Sequence, residues 1–207
     1  MEVHRISRNR LDAKILKNVV NIIRRGGVVA YPTDTAYGLA VDPANPGALK
    51  KLFAIKGRGE NKSSPLISAS YAQALKVGRL AGLARTLAKK YWPGPLTIVL
   101  PLAPRHGLAR LACGADDTVA IRVPASGWAR ALARKLGRPI TSTSANLSGQ
   151  PSAYSGRAVK RSFDKARLQP DMILDAGPLP RRKPSTIVRV GAQGVEILRR
   201  GSAIVKT

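Results

Sequence analysis

The residues with the greatest capacity for chemistry are gathered in Pro139-Ile140-Thr141-Ser142-Thr143-Ser144-Ala145-Asn146-Leu147-Ser148-Gly149. The stretch opens with β-branched residues and closes with turn residues, the pattern of a strand running into a loop. Side chains alternate along a strand. Ser142 and Ser144 therefore share one face, Thr141 and Thr143 the other, and Asn146 falls where the strand gives way. Hydroxyls and an amide can donate to phosphate or carboxylate oxygens and still accept. The carboxyl end of a strand is where open α/β sheets hold their ligands. The same residues also suit a loop that caps itself through local side chain to backbone bonds. The stretch alone leaves both readings open.

Other polar groups fall at strand ends or in loops: Thr33/Asp34/Thr35, Lys56/Arg58 and Thr118/Arg122, then Ser152, Ser185 and Arg199. Loops placed by a rigid sheet are common homes for binding residues. This inventory of cations, hydroxyls and amides suits a multiply charged anion such as ATP. It does not suit glycoside hydrolysis, which needs paired carboxylates. A Ser-His-Asp triad lacks a supported histidine, since His4 is terminal and His106 sits in a weakly patterned loop. With only His4, His106 and Cys113, no His/Cys metal cluster can be written. Gly57-x-Gly59 with Lys62-Ser63 resembles part of a phosphate loop but misses the G-x-x-x-x-G-K-[ST] spacing. Plainer roles stand beside the functional ones: a solvated loop for Lys56 and Arg58, a turn for Asp34, a strand start for Ser185.

The elements that must position these groups follow from periodicity. Leu11, Ile15, Leu16, Val19, Ile22 and Ile23 recur at helical spacing, and Gly26-Gly27 ends that helix. Residues 28–31 form a short strand. Asn45-Pro46 is an N-cap followed by proline at the first helical position, leading a helix that carries Leu49, Leu52, Phe53 and Ile55. Residues 65–67, 96–100 and 118–123 are strands. Residues 72–75, 80–91 and 128–136 are helical, residues 104–117 form a loop, and Ser155 caps a short helix to Phe163. Residues 172–174, 185–188 and 195–198 are late strands. Interleaved helices and strands, with strands dominating late, predict one α/β domain with a mixed sheet.

Length and composition agree. The chain has 207 residues, 44% of them hydrophobic but only 4% aromatic, so Ala, Leu, Ile and Val must build the core. No apolar run is long enough to span a bilayer. The first residues lack the apolar core of a signal peptide, so a cytoplasmic protein is expected. The single Cys113 excludes an intrachain disulfide framework. Lys and Arg number 36 against 11 Asp and Glu, a net charge of +25 carried in scattered doublets and the triplet Arg181-Arg182-Lys183. Such a field favours polyanions, whether RNA or nucleotides, although it serves equally as a solubility device.

Several segments together carry a family resemblance. They are Tyr31-Pro32-Thr33-Asp34-Thr35-Ala36-Tyr37-Gly38-Leu39; Lys56-Gly57-Arg58 with Pro65-Leu66-Ile67; Trp92-Pro93-Gly94-Pro95-Leu96-Thr97; Val119-Ala120-Ile121-Arg122-Val123-Pro124; Ser142 through Gly149; and Pro184-Ser185-Thr186-Ile187-Val188 with Leu198-Arg199-Arg200-Gly201. In this order and spacing the chain resembles the YrdC/TsaC family, the L-threonylcarbamoyladenylate synthases. The resemblance implies one YrdC-like domain over residues 1–207, an α/β fold whose twisted mixed parallel/antiparallel sheet encloses a basic cavity. It implies synthesis of threonylcarbamoyl-AMP and pyrophosphate from L-threonine, bicarbonate or CO2, and ATP, with Mg2+ carried by the ATP. tRNA threonylcarbamoyl-transferase proteins would then complete a tRNA modification.

By the same resemblance, Lys56 and Arg58 are catalytic and meet the ATP phosphates. Thr33 and Arg122 hold threonine, Arg122 forking onto its carboxylate, and Ser142 and Ser185 line the same pocket. Thr118, Ser144, Asn146, Ser152 and Arg199 contact the nucleotide, and no protein residue ligates a metal. The chain departs from many relatives in three places. Gly59 follows Arg58 where they have proline, with a longer loop over residues 60–64. Ser68-Ala69 stands where they have histidine. The chain ends at Thr207, as in the short form of the family, which leaves the pocket more open unless a partner or its own loops cover it. Two rivals use the same fold: a non-catalytic binder of tRNA or double-stranded RNA, which the charge favours, and a carbamoyl-adenylate-handling domain of hydrogenase maturation, whose usual companion domains are absent. Threonine dependence separates the enzyme from both.

Overall fold

The computed structural model describes residues 1–59, 63–191 and 193–205. In chain order its elements are β1 (Glu2–Arg5), α1 (Ala13–Arg24), β2 (Val29–Pro32), β3 (Tyr37–Ala40), α2 (Pro46–Lys56), β4 (Leu66–Ile67), α3 (Tyr71–Leu75), α4 (Gly82–Tyr91), β5 (Leu96–Pro101), β6 (Thr118–Arg122), α5 (Gly127–Leu136), β7 (Ile140–Thr141), β8 (Thr143–Ser144), α6 (Gly156–Phe163), β9 (Met172–Asp175), β10 (Thr186–Gly191) and β11 (Gly194–Arg199). A single 3-10 turn, Arg110–Ala112, interrupts the long loop before β6.

The helices start where the sequence provides caps. Asp12 accepts from the N–H groups of Lys14 and Ile15, Asn45 from Ala48, and Ser155 from Ala158. Each bond satisfies a donor that the first helical turn leaves without a partner. Gly57 ends α2 in the left-handed conformation, which costs glycine no Cβ clash. That sharp stop turns the chain from Lys56 to Arg58.

The α/β class with parallel and antiparallel pairing is as the sequence indicates, but the strands divide between two hydrogen-bonded sheets. One has the order β1-β9-β2-β3-β8, the other β11-β10-β5-β6-β4-β7. The strand at 140–144 serves both. Its first half, β7, pairs with β4, and its second half, β8, pairs with β3. Ser142 lies at the switch, its N–H donating to Pro65 O at 2.7 Å. The Thr141 hydroxyl stitches the seam by donating to Leu39 O and accepting from Val41 N, both at 3.0 Å. Two short strands had the weakest sequence signals. β1 is an edge strand, mostly exposed, without apolar alternation, and held by its parallel pairing to β9. β3 lies inside the motif after β2 and returns antiparallel to it.

Three apolar clusters anchor these sheets. On one face of the first sheet, α1 and α5 pack on β2 through Val19, Val20, Ile23, Trp128 and Leu132. On the other, α2 and α6 pack on β3 through Leu49, Leu52, Phe53, Val159 and Phe163. The second sheet is covered by α3 and α4 through Ala74, Leu87 and Ala88. Burying each large side chain contributes about 1.5–3 kcal/mol.

After β11 the chain folds back on the start of β10. Ser202 N donates to Pro184 O at 2.9 Å, and Thr186 Oγ1 donates to Ala203 O at 2.6 Å. Gly201 makes this possible, because a Cβ there would come within 2.1 Å of Pro184 O and 2.5 Å of Ser185 C. Gly201→Ala is therefore expected to push the two segments apart and lower stability by about 2 kcal/mol, read as a fall in the urea midpoint.

Candidate active site

A cavity of about 440 Å3 opens where the two sheets meet along 140–144. Small-molecule sites occupy roughly 300–1,000 Å3. Its walls come from many elements: Thr33 and Thr35 in the turn after β2, Gly38 on β3, Arg58 after α2, Thr97 on β5, Arg122 at the end of β6, Ser142 and Ser144 on the switching strand, and Ser185, Ile187 and Arg199 on β10, β11 and the approach to them. Ser152, Tyr154 and Arg182 complete the rim. Among the described residues the lining holds four arginines and many hydroxyls but no Asp, Glu, His or Cys.

Arg122 is the deepest of these cations, with only 5% of its side chain exposed. Its Nη1 donates to Asp34 Oδ1 at 2.8 Å, and the other carboxylate oxygen accepts from Ala125 N at 3.2 Å. Asp34 lies behind the cavity wall rather than in it. The contact occupies one of the guanidinium's five N–H donors and fixes its plane. Breaking a buried pair of this kind costs about 3–5 kcal/mol, because it strands the remaining charge.

Neutral oxygens contact Arg199 and Arg58. Arg199 donates from Nε and Nη2 to Ser185 O at 3.1 and 2.9 Å, and from Nη2 to Ser185 Oγ at 3.0 Å. Ser185 Oγ is also 2.9 Å from Thr97 Oγ1. Desolvation of the guanidinium, with Arg122 second, lowers the Arg199 pKa. Arg58 donates from Nη2 to Ser64 Oγ at 2.6 Å and lies 5.0 Å from the Phe53 ring centroid. Burial lowers its pKa as well.

Lys56 takes a different position from the one its motif suggests. It is buried, outside the lining, and its Nζ donates to Ser144 O at 2.6 Å, Asn146 O at 2.8 Å and Asn146 Oδ1 at 3.4 Å. The ammonium thus ties the loop after β8 to the end of α2, assisted by Ser148 N donating to Lys56 O at 2.9 Å. Burial, with the Arg58 charge second, lowers its pKa to about 8. Asn146 is likewise buried outside the lining, with its amide nitrogen donating to Gln150 O. Thr118 starts β6 while Arg122 ends it, so strand rise separates them by about 13 Å. Its hydroxyl donates to Asp116 at 2.6 Å.

The structure thus gathers Thr33, Arg58, Arg122, Ser142, Ser144, Ser152, Ser185 and Arg199 in one lining and leaves Lys56, Asn146 and Thr118 outside it. Thr33 lines the wall, but its hydroxyl closes its own turn, donating to Ala36 O at 2.6 Å and accepting from Thr35 N at 3.1 Å. Thr97, Arg182 and the positioning role of Asp34 had not been singled out. A carboxylate beside a strand end, in a chain with only 11 acids, was the available signal for Asp34. The longer loop expected after Gly59 includes Glu60, Asn61 and Lys62, which lie outside the described residues.

Such an arrangement can bind a polyanion and a small carboxylate side by side. No group of three or more His, Cys, Asp or Glu among the described residues could hold a metal ion.

Comparison with known proteins gives concordant matches. The family model named Sua5/YciO/YrdC, described as "Telomere recombination", matches residues 21–201. A threonylcarbamoyl-AMP synthase of Idiomarina loihiensis is 39% identical over 165 residues, 78% of this chain and 86% of that protein. The synthase of Thiobacillus denitrificans is 42% identical over 167 residues, 80% and 86% of the two chains. The structure of P. abyssi Sua5 complexed with L-threonine superposes with a TM-score of 0.88 at 33% identity, covering 97% of this chain and 58% of that one. The chain thus spans somewhat over half the length of that Sua5.

Lys56→Met should remove a donor from two buried carbonyls. An unfolding free energy lower by about 3 kcal/mol is expected in urea titration, with faster amide exchange in 144–150.

Proposed function

The chain belongs to the Sua5/YciO/YrdC family, and from that premise we propose that it condenses L-threonine, bicarbonate or CO2, and ATP into threonylcarbamoyl-AMP, releasing pyrophosphate. One observation carries the reading: a cavity lined by four arginines and a ring of hydroxyls. The named activity of the two bacterial relatives supports it, as does the threonine complex of the Sua5 neighbour.

The chemistry needs little from side-chain acids or bases. The free amine of threonine attacks CO2 and loses a proton, giving a carbamate. When bicarbonate is the source, that proton leaves with the bicarbonate hydroxyl as water. A carbamate oxygen then attacks the α-phosphorus of ATP, the bond to the bridging oxygen breaks, and pyrophosphate departs. Both reactants are anionic, so they repel until fixed cations bring them together. Rate enhancement comes from positioning and from charge neutralisation in a partly dehydrated site.

In this reading Arg122 takes the threonine carboxylate with the donors that Asp34 leaves to it, and Ser142 and Ser185 complete that end. Arg58 and Arg199 meet the triphosphate, with Ser144 and Ser152 toward the nucleotide. Lys56 and Asn146 act through the loop that carries Ser144. Mg2+ would enter as part of the substrate, on the triphosphate oxygens. A product with a reactive mixed anhydride calls for a protein that consumes it, a tRNA threonylcarbamoyl-transferase, and the charge of +25 favours contact with tRNA or double-stranded RNA. No helix among the described residues is long and apolar enough to cross a membrane. Work on tRNA in the cytoplasm fits this assignment.

Pyrophosphate release measured with Mg-ATP should require both L-threonine and bicarbonate. Release from ATP without threonine, or none from a folded protein that binds ATP, would contradict the proposal. Arg122→Lys loses the planar fork and should raise the KM for threonine by about tenfold or more while leaving that for ATP nearly unchanged.

A further inference from the structure

A second cavity of about 400 Å3 lies behind the active site, lined by Tyr71, Lys89, Trp92, Val123, Arg130 and Arg134 among others. The two are back to back, since Arg122 faces the first and its neighbour Val123 the second. Its contents are unlike those of the catalytic cavity. Trp92 and Tyr71 meet edge to face, 6.4 Å between centroids and 63° between planes, and both rings are half-buried. Around them stand three cations from two helices: Lys89 on α4, and Arg130 with Arg134 one turn apart on α5. Among the described residues none of the three is paired with a carboxylate. The Nε of Arg130 is buried without a hydrogen-bond partner, a desolvated donor held inside the groove.

We propose that this groove binds an unpaired nucleotide of a single-stranded or looped RNA, the base lodging against Trp92 and Tyr71 and the flanking phosphates on Lys89, Arg130 and Arg134. Three features favour that occupant. Aromatic faces accept any base by stacking, and guanidinium planes extend the stack. Lys89 and Arg134 are exposed, where a backbone passing over an inserted base would run, while Arg130 reaches inside the groove. The chain's charge of +25 supplies long-range attraction for a polyanion. An acidic peptide would satisfy the cations but leave the two rings without a planar partner. The inference does not rest on the reaction proposed above.

The test uses intrinsic fluorescence. The chain has two tryptophans, and Trp128 is only 1% exposed, so quenching by a bound base reports Trp92. A short single-stranded oligoadenylate should quench saturably, and an oligonucleotide duplex of equal length should compete poorly. The variant K89Q/R130Q/R134Q should bind about tenfold or more weakly, with a salt slope smaller by about 2, because single strands lose roughly 0.7 per phosphate contact. The variant R157Q/K160Q/R161Q on α6 removes as much charge from another face and should change binding far less. Threonine-dependent pyrophosphate release should persist in both variants, which keeps this result separate from the enzymatic one. Equal weakening in the two variants, a duplex that quenches Trp92 as tightly as the single strand does, or saturation without quenching would each overturn the proposal. Quenching by polyglutamate and not by oligoadenylate would overturn it in favour of an acidic protein partner.

Discussion

Cations gathered without enough acid to neutralise them are the constraint on which this molecule is organised. Two unit charges about 4 Å apart repel by about 4 kcal/mol at an effective dielectric of 20. Here Arg58, Arg122, Arg182 and Arg199 share one lining, with Lys56 behind it. Asp34 is the carboxylate that meets Arg122 directly. Dipoles also meet these cations: carbonyls of Ser144 and Asn146 at Lys56, that of Ser185 at Arg199, and the hydroxyl of Ser64 at Arg58. Dipoles hold the cations in place without cancelling their charge. The pKa values of Lys56 and Arg199 are lowered first by burial and then by a neighbouring arginine, which is the signature of that residual repulsion. A bound polyanion relieves it, so the electrostatics of the empty cavity already favour an anionic ligand.

The fold serves this arrangement through its seam. A strand that passes from one sheet to the other at Ser142 leaves a gap between sheets, and the cavity occupies that gap. Thr141 bonds to both flanking carbonyl and amide groups of β3 and its extension, so the seam keeps its register. β10 and β11 close the far side, and Gly201 lets the returning chain lie against Ser185. The apolar clusters that stabilise the sheets lie between them and the helices, and polar groups line the gap.

Much of this was legible in the sequence, for reasons that can be named. Asn45-Pro46 and Ser155 mark helix starts through local hydrogen bonding, which needs no tertiary information. The alternation Ser142/Ser144 predicts a shared face, and both residues line the cavity. Sheet membership was not legible, because a five-residue stretch paired with two different partners has no local signature. Nor were the contacts of Lys56: the family resemblance implies ATP phosphates as its partners, and in the structure its ammonium donates to the carbonyls of Ser144 and Asn146. Thr118 and Arg122 fall on one strand at even spacing, and of the two Arg122 is in the cavity lining. The partner of Arg122 could not be read, since Asp34 and Arg122 are 88 residues apart and meet only through packing.

A site that neutralises charge and orients substrates could join ATP to threonine in two ways. The threonine carboxylate could attack the α-phosphorus directly, or its amine could first capture CO2. Both release pyrophosphate, but only the second builds the bicarbonate carbon into the nucleotide. The most direct measurement is mass spectrometry of the nucleotide product formed from 13C-bicarbonate, L-threonine and ATP. The account predicts an adenylate that carries threonine and the labelled carbon. An unlabelled threonyl-adenylate, or AMP alone under conditions that preserve the anhydride, would contradict it.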